Sequence, residues 1–103
     1  MPLNRTFLFA PGNHPRRVEK ALTLGADAVI LDLEDAVATS DKAAARQPVA
    51  EALKRPRNCR GYVRPNAPST PWCYRDLVET IHEKVDGVVL PKVESAADLH
   101  AID

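Results

Sequence analysis

The chain is expected to be a parallel α/β protein, and three observations predict it. Ala28-Val29-Ile30-Leu31 is apolar at every position, the pattern of a strand covered on both faces. Hydrophobic segments alternate with helical ones across short connections. Three carboxylates, Asp32, Glu34 and Asp35, crowd the end of the apolar run, and functional residues of parallel α/β proteins gather at strand C-termini.

The elements follow in order. Thr6–Ala10 reads as a strand, closed by Pro11-Gly12. Asn13 is a candidate cap for a helix that holds Pro15 in its first turn, where a missing N–H costs little. Val18, Ala21, Leu22 and Leu24 give this helix its apolar stripe, and Gly25 ends it. Asp27–Leu33 is the second strand. Asp41–Lys54 is Ala-rich and helical, with Pro48 expected to kink or restart it. Gly61–Arg64 is the third strand. Thr70-Pro71 signals a helix start, N-cap then proline, for a helix running to Lys84. Gly87–Leu90 is the fourth strand, followed by Pro91-Lys92. Ser95-x-x-Asp98 has the form of a capping box opening a last helix. Eight βα units of this kind make a barrel of about 250 residues. The expectation is therefore the N-terminal half of a TIM (β/α)8 barrel, with four parallel strands in sequential order and helices outside. Such a half-barrel has open edges and uncovered apolar faces, so self-association or partial order is expected of it.

Composition narrows the function. The 103 residues are 45% hydrophobic and 27% charged, enough for one small core. Lys+Arg and Asp+Glu number 14 each, which gives no electrostatic case for nucleic acid or an anionic membrane. No stretch has the length of a membrane span, and Met1-Pro2-Leu3-Asn4-Arg5 lacks a signal-peptide layout. A cytoplasmic protein is expected. Cys59 and Cys73 read as reduced thiols, and His14, His82 and His100 are too scattered for a metal site.

The acidic cluster needs a cation, because clustered carboxylates repel each other and resist desolvation. With period 2, Ile30, Asp32 and Glu34 share one face of the second strand, and Leu31, Leu33 and Asp35 the other. In the third strand Tyr62, Arg64 and Asn66 share a face. If the two strands are neighbours, Arg64 lies one strand spacing from Asp32 or Glu34. Pro65 holds Arg64 extended. An arginine gripped by carboxylates offers a rigid donor fork to a substrate oxyanion. A structural salt bridge is the competing reading of the same residues. A dehalogenase-like phosphotransferase also places acids after an apolar strand, but its Asp-x-Asp pattern is not met here.

Several motifs together resemble one family. They are Arg5-Thr6-x-Leu8-Phe9-x-Pro11-Gly12, the run Gly25 to Val37 with Asp32-Leu33-Glu34-Asp35 at its heart, and Lys42-x-x-x-Arg46. They continue with Val63-Arg64-x-Asn66-x-x-x-Thr70-x-Trp72-x-x-x-Asp76-Leu77 and Asp86 to Ser95. Their order and spacing resemble the citrate lyase β-subunit family, with malyl-CoA and citramalyl-CoA lyases, in the HpcH/HpaI aldolase group.

The resemblance implies a TIM barrel of the phosphoenolpyruvate/pyruvate superfamily, of which residues 1–103 are the N-terminal half. It implies a Mg²⁺-dependent carbon–carbon lyase acting on a CoA or acyl-carrier thioester such as citryl-, malyl- or citramalyl-CoA. Arg64 corresponds to the arginine that binds substrate carboxylate and carbonyl oxygens, with Asn66 beside it. Asp32, Glu34 and Asp35 correspond to the acidic motif that orients this arginine, Glu34 and Asp35 lining the metal's outer shell. Pro11-Gly12 and Lys92 are candidates for cofactor contact, against a tight turn and a solvated lysine. The direct Mg²⁺ ligands of the family come from later strands, so none is expected here, and the chain alone is expected to be inactive. Pro65 and Pro48 depart from the family pattern and are expected to relax the fold locally. Expected partners are a small carboxylate, the CoA thioester and further copies of the chain. The alternative is a non-catalytic fragment, or a half-barrel that assembles with itself or a partner chain.

Overall fold

A computed structural model describes residues 6–91. Four strands, β1 (Phe7–Pro11), β2 (Ala28–Asp32), β3 (Arg60–Arg64) and β4 (Gly87–Val88), form one sheet in the order β1-β2-β3-β4. Every neighbouring pair is parallel. Helices α1 (Pro15–Thr23), α2 (Lys42–Lys54) and α3 (Cys73–Thr80) occupy the three connections. This is the βα succession of the first half of a (β/α)8 barrel, as expected.

Period 2 decides the core. Leu8 and Ala10 of β1, Val29 and Leu31 of β2, and Val63 of β3 meet Val18 and Ala21 of α1 and Ala45, Val49, Ala52 and Leu53 of α2. The opposite sheet face carries Phe7 and Phe9, 48% and 54% exposed, and half-buried Tyr62. Ala28 and Ile30, in register between these side chains, are buried. The β2 strand is thus covered along its whole length, which is why its sequence is apolar without alternation.

Several boundaries differ from expectation. The cap position of α1 is His14, not Asn13, and it makes no side-chain cap hydrogen bond; the Asn13 amide donates to Asp41 Oδ2 at 3.2 Å. Asp41 closes a short 3₁₀ turn (Thr39–Asp41), and α2 starts one residue later. Pro48 neither breaks nor restarts α2, which runs unbroken from Lys42 to Lys54. Its fully buried Val49 and Leu53 hold the helix to the sheet, and packing of this kind outweighs one lost backbone hydrogen bond.

Helix α3 begins at Cys73, not at Thr70-Pro71, because the Thr70 hydroxyl donates backwards to the Ala67 carbonyl at 2.7 Å. It ends at Thr80 rather than Lys84, and Ile81 is already extended. Strand β4 has two residues where four were expected, although the Val89 N–H still donates to the Val63 carbonyl at 2.9 Å. The expected helix after Ser95, and Lys92, lie outside the described residues.

Candidate active site

The register sets Asp32 of β2 directly beside Arg64 of β3, each at the C-terminal end of its strand. Arg64 Nε donates to Asp32 Oδ1 at 2.8 Å and Nη2 to Oδ2 at 2.9 Å. The carboxylate also accepts the backbone N–H groups of Glu34 at 2.9 Å and Ala36 at 2.8 Å. Asp32 is 1% exposed. Burial alone would raise its pKa, but the hydrogen bonds from Arg64, Glu34 and Ala36 outweigh this and hold it below the usual carboxylate range. Arg64 is held more firmly protonated by the same bond to Asp32.

The guanidinium is fixed on two sides. Its Nε/Nη2 edge is spent on Asp32, and the Phe9 ring lies 5.1 Å from its central carbon. No hydrogen-bond partner for Nη1 exists among the described residues, so the Nη1/Nη2 edge keeps donors for a second carboxylate. Phe9, two positions from Phe7 on an apolar strand, carried no role in the sequence reading. Its alternation with Phe7 was the available signal.

Glu34 Oε1 lies 3.7 Å from Arg64 Nε. Burial, then the negative charge of Asp35, push its pKa up, with Arg64 opposing. Asp35 was expected on the opposite face of the strand. Instead it lines the same cleft as Arg64, because β2 ends at Asp32 and the period-2 alternation ends with it. The cleft, of about 490 Å³, is lined by Phe9, Pro11, Asp32, Asp35 and Arg64, with exposed His14 and Arg17 at its side. Its size lies in the range of small-molecule sites. A larger cavity of about 710 Å³ lies at the other end of the strands, around Asp27, Arg57, Arg60 and Asp86. There the Arg57 guanidinium is already taken up by the carbonyls of Leu53, Cys59 and Lys84 and by Asp86.

Asn66 is not on the cleft. It is 2% exposed, and its side-chain amide donates to Asp76 Oδ2 at 2.7 Å and the Leu33 carbonyl at 3.0 Å. Pro11 lines the cleft, whereas buried Gly12 packs beneath it, its N–H donating to the Asp32 carbonyl at 2.7 Å. Pro65 is buried and leaves the pairing of β3 intact. Cys59 and Cys73 are free thiols, and burial and then Asp76 raise the Cys73 pKa, which suits no nucleophile.

No group of three or more His, Cys, Asp or Glu that could hold a metal ion exists among the described residues. Asp32 has both oxygens engaged by Arg64 and backbone donors. These residues do not by themselves fit a metal's ligand set. No helix among the described residues is long and apolar enough to cross a membrane.

A family model described as HpcH/HpaI aldolase/citrate lyase matches residues 5–103. The chain belongs to this family. It is 43% identical to an L-malyl-CoA/beta-methylmalyl-CoA lyase of Cereibacter sphaeroides, over 97% of this chain and 33% of that protein. It is 40% identical to the citrate lyase subunit beta of Leuconostoc mesenteroides subsp. cremoris, over 98% and 34%. Among solved structures it resembles the protein CitE of Mycobacterium tuberculosis in complex with magnesium, acetoacetate and coenzyme A. That match has a TM-score of 0.72 and 37% identity, over 97% of this chain and 38% of that one. The chain spans about a third of the length of the curated relatives it matches.

Proposed function

We propose that this chain is the N-terminal half-barrel of a Mg²⁺-dependent carbon–carbon lyase acting on a CoA thioester. One observation carries the reading. Arg64 is locked by Asp32 at the C-terminal ends of adjacent strands, with its remaining donor edge left for a carboxylate in a cleft of ligand size. The names of the relatives, malyl-CoA lyase and citrate lyase β, and the magnesium, acetoacetate and coenzyme A bound by CitE, support the same chemistry.

In this reading Arg64 binds the carboxylate and carbonyl oxygen of the 2-oxo acid portion in bidentate fashion, fixing the bond to be cleaved. Carbon–carbon cleavage builds negative charge on oxygen, and a preorganised guanidinium stabilises that charge without reorganising. Asp32 is the fixed counter-ion that keeps Arg64 in place. Glu34, with its raised pKa, and Asp35 would line the outer shell of a Mg²⁺ ion whose direct ligands would have to come from outside the described residues. When bound, that ion supplies Lewis-acid stabilisation of the enolate. Arg17 and His14 at the cleft are suited to the phosphates of CoA, Pro11 and Gly12 shape the wall beneath them, and Lys92, outside the described residues, is a further candidate for that contact. Asn66 acts from below by holding the Leu33 carbonyl.

The test is turnover of malyl-CoA, citramalyl-CoA and citryl-CoA, with and without Mg²⁺, by the full-length protein and by residues 1–103 alone. Mg²⁺-dependent release of acetyl-CoA by the former and none by the latter is expected. Hydrolysis to free CoA without carbon–carbon cleavage would replace the lyase reading.

A further inference from the structure

Lys42 and Arg46 lie one turn apart on α2, and each is 7% exposed. Buried cations need compensation. Arg46 has it, with Nε 2.8 Å from Asp76 Oδ1 and Nη2 donating to the Trp72 carbonyl at 3.3 Å. Lys42 has no carboxylate within ion-pair distance among the described residues. Its ammonium instead donates to two successive carbonyls, Leu33 at 3.2 Å and Glu34 at 2.8 Å, and sits 5.5 Å from the centre of the Trp72 ring.

Those carbonyls belong to the acidic turn. The Leu33 carbonyl also accepts from Asn66, whose backbone N–H and side chain are bonded to Asp76 Oδ2 at 2.8 and 2.7 Å, while the Leu33 N–H donates to the Arg64 carbonyl at 2.9 Å. The turn is therefore gripped from the helix side, while the Asp32 and Glu34 carboxylates meet Arg64. Asp32 is secured by its own four hydrogen bonds. Toward Arg64 the Glu34 carboxylate makes only a 3.7 Å approach, so the orientation of its peptide, whose carbonyl also accepts from the Val37 N–H at 3.1 Å, sets where that carboxylate lies.

We propose that Lys42 is a positioning residue for this site, holding the Leu33 and Glu34 carbonyls so that the Glu34 carboxylate stays against Arg64. The inference rests on the Arg64 cleft being the substrate site, but its geometric part is measurable without any substrate. A residue that merely stabilises α2 would leave the Glu34–Arg64 coupling untouched. A misplacement of about 1 Å in a catalytic constellation costs up to about 10²-fold in rate.

The experiment is a double-mutant cycle on the full-length protein labelled with ¹⁵N-arginine, read at the Arg64 Nε–H resonance. Glu34→Gln is expected to move that resonance, and at least half of the movement is expected to vanish in a Lys42→Met background. An equal movement in both backgrounds, or none in either, overturns the proposal. Lys42→Gln, which keeps one donor, is read in the same way if Lys42→Met does not fold; failure of both to fold makes Lys42 a folding residue and overturns it too. With malyl-CoA, Lys42→Met is expected to lower kcat about tenfold or more while KM changes less than about twofold. Absence of lyase activity in the parent protein would remove the proposed function and leave the resonance cycle to decide on Lys42.

Discussion

Arg64 and Asp32 are register partners on adjacent parallel strands, and their side chains close a two-point hydrogen bond of 2.8 and 2.9 Å. Asp32 takes one edge of the guanidinium and orients the other, so charge alone does not reproduce the pair. Arg64→Lys keeps the charge and loses the planar fork. In the full-length protein kcat/KM for the proposed lyase reaction is expected to fall about 10²- to 10³-fold, the usual cost of removing one donor to a developing oxyanion. Steady-state kinetics check this, and an unchanged kcat/KM would make the pair purely structural.

The two acids beside Arg64 respond oppositely to pH. Asp32 has a lowered folded pKa, so its stabilisation is present above its unfolded value of about 3.9 and is lost as pH falls through the folded value. Glu34 has a raised folded pKa, so it costs stability above that value, and the cost disappears as pH falls below about 4.3. Asp32→Asn should therefore destabilise at pH 7 and lose its effect in strong acid. Glu34→Gln should stabilise at pH 7 and become neutral near pH 4. Denaturant titrations from strong acid to pH 7 are the measurement.

Gly12 follows the end of β1, with its N–H bonded to the Asp32 carbonyl at the end of the neighbouring β2. A Cβ there would lie 2.7 Å from Val49 Cγ2 and 2.9 Å from the Asp32 backbone oxygen. The valine has some freedom to shift; the β2 backbone has little. Gly12→Ala is expected to cost about 1–3 kcal/mol by overpacking, measured by chemical denaturation, and to disturb the Arg64 ion pair through Asp32. Near-neutral stability would show that this strand end is looser than its contacts imply.

The order of the elements and the meeting of Arg64 with Asp32 or Glu34 were legible because both rest on periodicity. An unbroken apolar run identifies β2, and alternation puts Arg64 on the face of Tyr62. The rule failed at Asp35 because it holds only while the strand lasts. The beginning of α3 was misread because a threonine hydroxyl has two ways to satisfy itself, and Thr70 bonds backwards to Ala67. The contacts that Lys42 and Asn66 make at Leu33 were hidden for a different reason, and Asn66 was read instead as a substrate-site residue. Their acceptors at Leu33 are backbone carbonyls, which every residue possesses, so no side-chain pattern marks the contact.

No helix among the described residues packs on the sheet face carrying Phe7, Phe9 and Tyr62, and apolar side chains in such a cluster tend to find a cover. Residues 1–103 in isolation are expected to self-associate through this face. Sedimentation velocity should show concentration-dependent assembly, and Phe7→Lys should reduce it. A monomer at all concentrations with a sharp cooperative melt would contradict the expectation.

The Arg46–Asp76 pair is more deeply buried than the one in the cleft, and its loss should act on stability first. Asp76 is 0% exposed and accepts from Arg46 on one oxygen and from Asn66, twice, on the other. Arg46→Met leaves that carboxylate without its cation, a defect that costs about 3–5 kcal/mol. Replacing both partners by apolar residues, Arg46→Met with Asp76→Leu, removes the stranded charge but deprives Asn66 of its acceptor. That leaves buried donors unsatisfied at about 1–3 kcal/mol each. The double variant is therefore expected to remain less stable than the parent, unlike a simple ion pair exchanged for apolar packing. Thermal and denaturant unfolding of the single and double variants provides the comparison, and parental stability in the double variant would show that Asn66 finds another partner.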